Sequence, residues 1–86
     1  MFRMDAPDEL AAAINKAVGD KLTGLRAERR LTRMQLKERT GLGLSTIQRF
    51  ENGERSPDLH QLALILEALD MPMHEFVAWA LRDIVK

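Results

Sequence analysis

Hydrophobic residues recur along the chain at helical spacing, and no segment alternates apolar and polar residues as a half-buried strand would. The longest apolar stripe advances in steps of four, four, four and three residues and consists of Leu10, Ile14, Val18, Leu22 and Leu25. This spacing predicts one helix over about residues 8–30. Two glycines lie inside it, and the one at position 19 leaves open a break into two shorter helices.

A second helix is predicted from its end signals. Thr32 is suited to be the N-cap, and Gln35 stands three residues later, where it would complete a capping box. Leu36 points inward, and the helix should stop near Thr40 because Gly41 can adopt the left-handed conformation that ends helices.

A third helix is predicted over about residues 44–51, with Ile47 and Phe50 three positions apart on its buried side. Asn52 and Gly53 should end it, since both residue types tolerate the left-handed conformation. Two short helices joined by a few residues that include glycine form the helix-turn-helix arrangement. We therefore take residues 31–53 as the candidate reading unit.

Two more helices complete the prediction. Asp58 and Gln61 have the spacing of a second capping box, and the inward stripe of the helix they begin is predicted to be Leu59, Leu62, Ala63, Leu66 and Leu69. Pro72 separates this helix from a last helix, which is predicted over about residues 73–85. Five helices without a sheet define an all-α fold, and a chain of 86 residues suits a single domain over 1–86.

The distribution of charge indicates a polyanionic partner, although the net charge is zero. Residues 21–55 contain nine basic and four acidic side chains, whereas acidic side chains outnumber basic ones on both sides of that block. A local basic surface between acidic flanks is typical of proteins that bind nucleic acid.

Other chemistries find little support in the sequence. The chain has no cysteine, and His60 and His74 lack metal-ligand spacing with another histidine or a carboxylate-rich partner. No catalytic triad order or phosphate-binding glycine loop stands out. We expect no enzymatic activity, no cofactor and no metal. We also expect a soluble cytoplasmic protein, because no run approaches the ~20 apolar residues that span a bilayer.

Several short motifs in the middle of the chain resemble those of a known family. They are Leu25-Arg26, Leu36 followed by Gly41, Ser45-Thr46-Ile47, Glu51-Asn52-Gly53, Pro57, and Leu66-Glu67-Ala68-Leu69. In this order and spacing, they resemble the phage-repressor and Cro-like (Xre-like) helix-turn-helix domain over about residues 22–77. The resemblance implies a five-helix, lambda-repressor-like fold, with extended first and last helices in this chain.

The resemblance also implies roles for individual residues. The third helix would lie in the major groove, with base readers at Leu44, Ser45, Gln48 and Arg49. Backbone phosphates would be held by Arg33, Thr46, Asn52 and Arg55. Arg26 and Glu51 occupy the positions of a structural ion pair between the first and third helices. For Leu44, contact with a protein partner remains an alternative to contact with a thymine methyl group.

Two positions depart from the family pattern. Lys37 stands where alanine is usual at the close approach of the second and third helices, and Gly43 stands where serine or threonine usually caps the third helix. The fold assignment is compatible with both. Because of these two departures, the family pattern determines the orientation of the third helix less closely.

The two ends of the chain extend beyond the minimal motif. Residues 8–21 and 78–86 are rich in apolar side chains, and two interpretations remain open: they enlarge the core, or they form a dimer interface. The candidate interface residues are Phe76, Trp79, Ala80 and Ile84. A dimer suits the motif because two recognition helices ~34 Å apart meet successive turns of one DNA face.

These observations together predict a sequence-specific regulator of transcription, a repressor encoded by a bacterium or phage. It would bind double-stranded DNA as a homodimer on an inverted repeat. The alternative is an antitoxin-like or adaptor protein whose main partner is another protein. Salt-sensitive, sequence-selective retardation of DNA would favour the regulator, and co-purification with a neighbouring gene product without DNA binding would favour the adaptor.

Overall fold

The computed structural model describes residues 7–84 and contains five α-helices, with no strand in that range. In chain order they are α1 (Pro7–Glu28), α2 (Arg33–Thr40), α3 (Leu44–Glu51), α4 (Leu59–Ala68) and α5 (Met73–Leu81). The all-α, five-helix architecture predicted from the sequence is therefore confirmed. No helix among the described residues combines the length and the apolar character needed to cross a membrane.

Helix α1 is continuous, so the break considered at Gly19 does not occur. Asp8 and Glu9 lie in its first turn, where their charge stabilises the positive end of the helix dipole, and Arg26 lies in its last turn. The chain leaves α1 through Arg30, which adopts the left-handed conformation with a φ of 58°.

Both predicted capping boxes are present. The side chain of Thr32 accepts a hydrogen bond from the backbone amide of Gln35 at 3.0 Å, and the Gln35 side chain accepts one from the Thr32 amide at 2.8 Å. Asp58 and Gln61 form the same reciprocal pair, at 2.7 and 3.0 Å. Each box satisfies two amides that have no partner within the helix, which fixes where α2 and α4 begin.

The turns on either side of α3 differ in one respect from the prediction. Gly41 is left-handed as expected, with a φ of 77°, and Gly43 is an N-cap without a side-chain hydrogen bond. At the other end, α3 ends at the predicted Asn52-Gly53 pair, but Asn52 stays close to helical geometry with a φ of −80°. Gly53 alone takes the left-handed conformation, with a φ of 75°.

One hydrophobic core joins the five helices. Helix α1 packs against α3 and α5, α2 packs against α3 and α4, and α4 packs against α5. The largest fully buried side chains are Phe50, Phe76, Leu36, Ile47, Ile65, Leu66 and Leu69. Because Phe50 and Ile47 are both in this core, hydrophobic burial as well as the turns determines the position of α3.

Two residues of the predicted inward stripe of α4 face solvent instead. Leu59 is 74% exposed and Ala63 is also exposed, whereas Leu62, Leu66 and Leu69 of the same stripe are buried. Leu59 is the first residue of α4, before the helix turns its apolar face inward at Leu62. The last helix is shorter than predicted and ends at Leu81, and the predicted end near residue 85 lies outside the described residues.

Candidate nucleic-acid interface

Helix α3 is packed on its inner side and open on its outer side. Its inner residues Ile47 and Phe50 are buried against the core, whereas Ser45 and Arg49 are exposed. Gln48 is half-buried, as are Leu44 and Thr46. The side of α3 that carries the predicted base readers is therefore accessible, most fully at Ser45 and Arg49.

A buried carboxylate fixes the C-terminal end of α3. The side chain of Glu51 is only 2% exposed and accepts hydrogen bonds from two arginines. Arg26 of α1 donates from Nε to Oε2 at 2.7 Å and from Nη2 to Oε1 at 2.9 Å, and Arg33 of α2 donates from Nε to Oε1 at 2.8 Å. We call Arg26, Arg33 and Glu51 the arginine–glutamate cluster. It ties α1 and α2 to the end of α3.

The protonation state of this cluster follows from its contacts. Burial by itself would raise the pKa of Glu51, but the hydrogen bonds from Arg26 and Arg33, with their positive charges, outweigh it and hold that pKa below its ordinary value. The hydrogen bonds to Glu51 raise the pKa of Arg26, against a smaller opposing effect of its burial. The cluster is thus fully ionised at neutral pH.

Arg26 and Glu51 form the ion pair that the resemblance implied, and Arg26 has one further contact. Its Nη1 donates to the carbonyl oxygen of Leu31 at 2.8 Å, in the connection between α1 and α2. The guanidinium therefore joins three segments at one point. The end of α1, the start of the reading unit and the end of α3 are held together by it.

Arg33, a predicted phosphate-binding residue, is also part of the protein's own ion-pair network. Its Nε binds Glu51, and its side chain is 35% exposed. No local pattern predicts this contact, because Glu51 lies eighteen residues further along the chain. Only the exposed part of the guanidinium is available to a ligand.

The other predicted phosphate-binding positions differ in accessibility. Arg55 is exposed, with its guanidinium carbon 5.6 Å from the centre of the Phe50 ring. The side-chain amide of Asn52 donates to Glu54 at 3.3 Å. The backbone amides of residues 52–54 donate to the carbonyl oxygens of Gln48, Phe50 and Arg49. Those amides are already satisfied, which leaves the Arg55 side chain as the accessible phosphate donor in the segment that directly follows α3.

The basic block also contains a side chain with a purely structural contact. Arg29 donates from Nε to the carbonyl oxygen of Leu69 at 2.7 Å, at the C-terminal end of α4. A cation at a helix C-terminus is favourable because the last carbonyl groups lack partners within the helix. Not every arginine of the block is therefore available to bind a polyanion.

The four candidate interface residues of the last helix are divided between the core and the surface. Phe76 is fully buried and Ala80 is 6% exposed, so both side chains belong to the core rather than to an accessible face. Trp79 is half-buried, with the Nζ of Lys21 4.5 Å from the ring centroid, and Ile84 is half-buried as well. The large apolar side chains that α4 and α5 expose are Leu59 and Val77.

Within residues 7–84, no group of three or more histidine and acidic side chains has the geometry of a metal site. Among the same residues, every buried side-chain nitrogen and oxygen atom has a hydrogen-bond partner. The exposed polar groups on α3 and directly after it include the hydroxyl of Ser45 and the guanidinium groups of Arg49 and Arg55. Such groups can contact base edges and phosphates.

A family model described as a helix-turn-helix domain matches residues 17–79 of the chain. The matched range begins within α1 and ends within α5, and it includes both helices of the reading unit. The match confirms the assignment made from the motifs between Leu25 and Leu69. No curated protein matches the chain.

Proposed function

Because the chain belongs to the helix-turn-helix domain family, we propose that it is a sequence-specific regulator of transcription that binds double-stranded DNA and acts as a repressor. The observation that carries the proposal is the setting of α3. Its inner side is fixed by the core and by Glu51, and its outer side exposes Ser45 and Arg49. A fixed helix with accessible polar side chains is what base recognition in the major groove requires.

The base readers have distinct roles in this proposal. Arg49 can donate two hydrogen bonds to the O6 and N7 atoms of guanine, and Gln48 can pair in the same two-pronged way with adenine. Ser45 can donate or accept and so discriminates weakly, and Leu44 packs on a thymine methyl group. Each two-pronged contact distinguishes the correct base by ~1–3 kcal/mol.

Phosphate contacts set the register of the protein on DNA and make its affinity depend on salt. Arg55 is the best candidate because it is exposed and follows α3 directly. Thr46 is half-buried and has a hydroxyl that can donate to a phosphate oxygen. Arg33 contributes through the part of its guanidinium that Glu51 does not occupy.

The regulator acts as a homodimer on an inverted repeat. A single recognition helix of eight residues offers few contacts for the affinity that specific binding usually requires. An apolar cavity of about 280 Å³ is lined in part by Leu59 and Val77, the exposed large apolar side chains of α4 and α5. The cavity lies next to the protruding Leu59. A second copy of the chain can therefore bury the cavity and Leu59 together in one symmetric contact.

Selection of bound fragments from random duplex DNA tests the proposal. We expect enrichment of one half-site, repeated in inverted orientation with a constant spacing. Retardation of the selected duplex should be much stronger than that of a scrambled duplex, and should weaken steeply as salt is raised. Failure to enrich any sequence from the folded protein would contradict the proposal.

The same cavity supports a second candidate, an adaptor or antitoxin-like protein that binds a different chain. The two candidates differ in what the purified protein does alone. The regulator selects a DNA sequence without any partner, whereas the adaptor selects none.

A further inference from the structure

Gly19, in the middle of α1, lies directly against the end of α3. A methyl group at this position would overlap the carbonyl oxygen of Phe50. It would also lie 2.9 Å from the carbonyl oxygen of Glu51 and 3.0 Å from the backbone nitrogen of Gly53. These atoms belong to the backbone, so they cannot move away by a side-chain rotation. The two helices therefore touch backbone to backbone.

Gly53 makes the reciprocal contact from the other side. A Cβ atom on it would lie 3.1 Å from the Cα atom of Lys16 and 3.5 Å from the carbonyl oxygen of Asn15. The Ser56 hydroxyl donates a hydrogen bond to the side chain of Asn15 just beyond this contact. We call the contact of Gly19 and Gly53 with the facing backbones the glycine contact.

The glycine contact determines how deeply the C-terminal end of α3 packs on α1. Relieving the overlap at Gly19 needs a shift of roughly 1 Å, which would tilt a helix about 12 Å long by about 5°. Recognition groups must hold their geometry to within about 0.5 Å to act. A small displacement at Gly19 is thus large enough to misplace Arg49, which lies one residue before Phe50.

We infer that Gly19 is a positioning residue for base recognition: by allowing contact with the end of α3, it sets the angle at which α3 enters the major groove. The inference rests on the proposed DNA-binding function. It assigns a part of DNA specificity to a residue on a different helix from the base readers. Neither the overlap nor the partner is visible in the sequence, since the contacted residues lie more than thirty positions away.

Gly24 provides a matched control for the substitution Gly19→Ala. Both glycines lie in α1, and both changes raise helix propensity by the same amount, but a Cβ atom at Gly24 would meet no atom within 4 Å. A second pair of substitutions tests the same contact from the side of Gly53. Gly53→Asn adds a Cβ atom at a positive φ that asparagine tolerates, and Gly41→Asn does so in open space at a nearly identical φ.

The experiment measures the dissociation constants of the wild type and the variants for the selected duplex and for a scrambled duplex, alongside thermal unfolding. The readout is the dissociation constant for the scrambled duplex divided by that for the selected duplex. A loss of stability alone does not change this ratio, because it lowers the folded fraction equally in both measurements. Gly24→Ala should keep the wild-type ratio within about twofold. Gly19→Ala should lower it at least ~10-fold, mainly through the selected duplex, because phosphate contacts tolerate the tilt better than base contacts.

Gly53→Asn decides the matter if Gly19→Ala fails to fold. It requires a displacement of only a few tenths of an ångström and should lower the ratio about threefold. Gly41→Asn is its control, because it shows how far asparagine at a positive φ lowers the unfolding temperature without any close contact. A folded Gly19→Ala or Gly53→Asn protein with the wild-type ratio would overturn the inference and leave the proposed function intact. A wild-type protein without any sequence preference would overturn both.

Discussion

Arg26 and Glu51 are joined by two parallel hydrogen bonds, 2.7 and 2.9 Å long, between α1 and the last residue of α3. The pair is well shielded from water, with the Arg26 side chain 15% exposed and that of Glu51 2% exposed. Charged groups in such a setting are costly to separate, because the remaining one stays buried without its partner. The orientation of α3 therefore depends on a contact that need not touch DNA.

Replacing Arg26 should destabilise the protein strongly. Arg26→Ala leaves Glu51 buried with Arg33 alone and also removes the bond to the carbonyl oxygen of Leu31. We expect the free energy of unfolding to fall by about 3 kcal/mol, at the lower end for a broken buried pair because Arg33 still binds the carboxylate. Urea unfolding measures it. Arg82→Ala, which removes an exposed charge beyond α5, should change it by less than about 0.5 kcal/mol.

Acid should weaken the arginine–glutamate cluster. The pKa of Glu51 lies below its unfolded value of about 4.5, so the stabilisation it provides is complete above that pH and is lost as the pH falls through the lower, folded value. The difference in unfolding free energy between the wild type and Glu51→Gln should be constant from pH 7 to 5.5 and should shrink between pH 4.5 and 2.5. A difference that stays unchanged down to pH 2.5 would argue against an ionised Glu51.

Arg55 and Arg33 should affect DNA binding differently from the base readers. Arg55→Ala should weaken binding to selected and scrambled duplexes alike and lower the slope of log affinity against log salt by about one. Arg33→Ala should do the same in part, and should also reduce stability by up to about 1 kcal/mol, a small value because its side chain is 35% exposed.

Arg49→Ala and Gln48→Ala should instead relax the preference for one base each, with a loss of ~1–3 kcal/mol of discrimination and little change in the salt slope. Titration of each variant with a set of single-base operator variants separates these effects. Equal losses on every sequence for all four variants would refute the division into base readers and phosphate contacts.

The proposed dimer surface can be tested without disturbing the core. Leu59→Ser and Val77→Ser change side chains that are 74% and 38% exposed, so the monomer should stay folded. If a second copy covers this face, the double variant should raise the dimer dissociation constant at least ~10-fold in sedimentation experiments. Ala63→Ser, on an exposed position of the same α4, serves as the control. Unchanged association in the double variant would place the dimer contact elsewhere.

Local signals in the sequence were sufficient for most of the fold. The capping residues Thr32 and Asp58, with glutamine three positions later, set the starts of two helices, and Gly41 set the end of α2. These interactions involve neighbours along the chain, so the residue pattern alone contains them. The prediction failed at Leu59, since a helix's first residue can point away from the core even when its apolar spacing fits.

Contacts between distant segments were harder to predict. Glycine at position 19 suggested a weak point in a helix, because propensity reports only the local cost of glycine. Its packing against Phe50 depends on how α1 and α3 cross, which no local pattern specifies. For the same reason the bond between Arg33 and Glu51 emerged only from the structure, whereas the resemblance to a known family did imply the pair of Glu51 with Arg26.

Methylation interference on the selected duplex shows whether the exposed side of α3 lies in the major groove. Dimethyl sulfate modifies guanine at N7 in the major groove and adenine at N3 in the minor groove, so one reagent distinguishes the two grooves. We predict that methylated guanines in each half-site prevent binding of the wild type, and that Arg49→Ala loses the effect at one guanine. Interference confined to adenine N3, with binding unaffected by guanine methylation, would show instead that the protein binds in the minor groove.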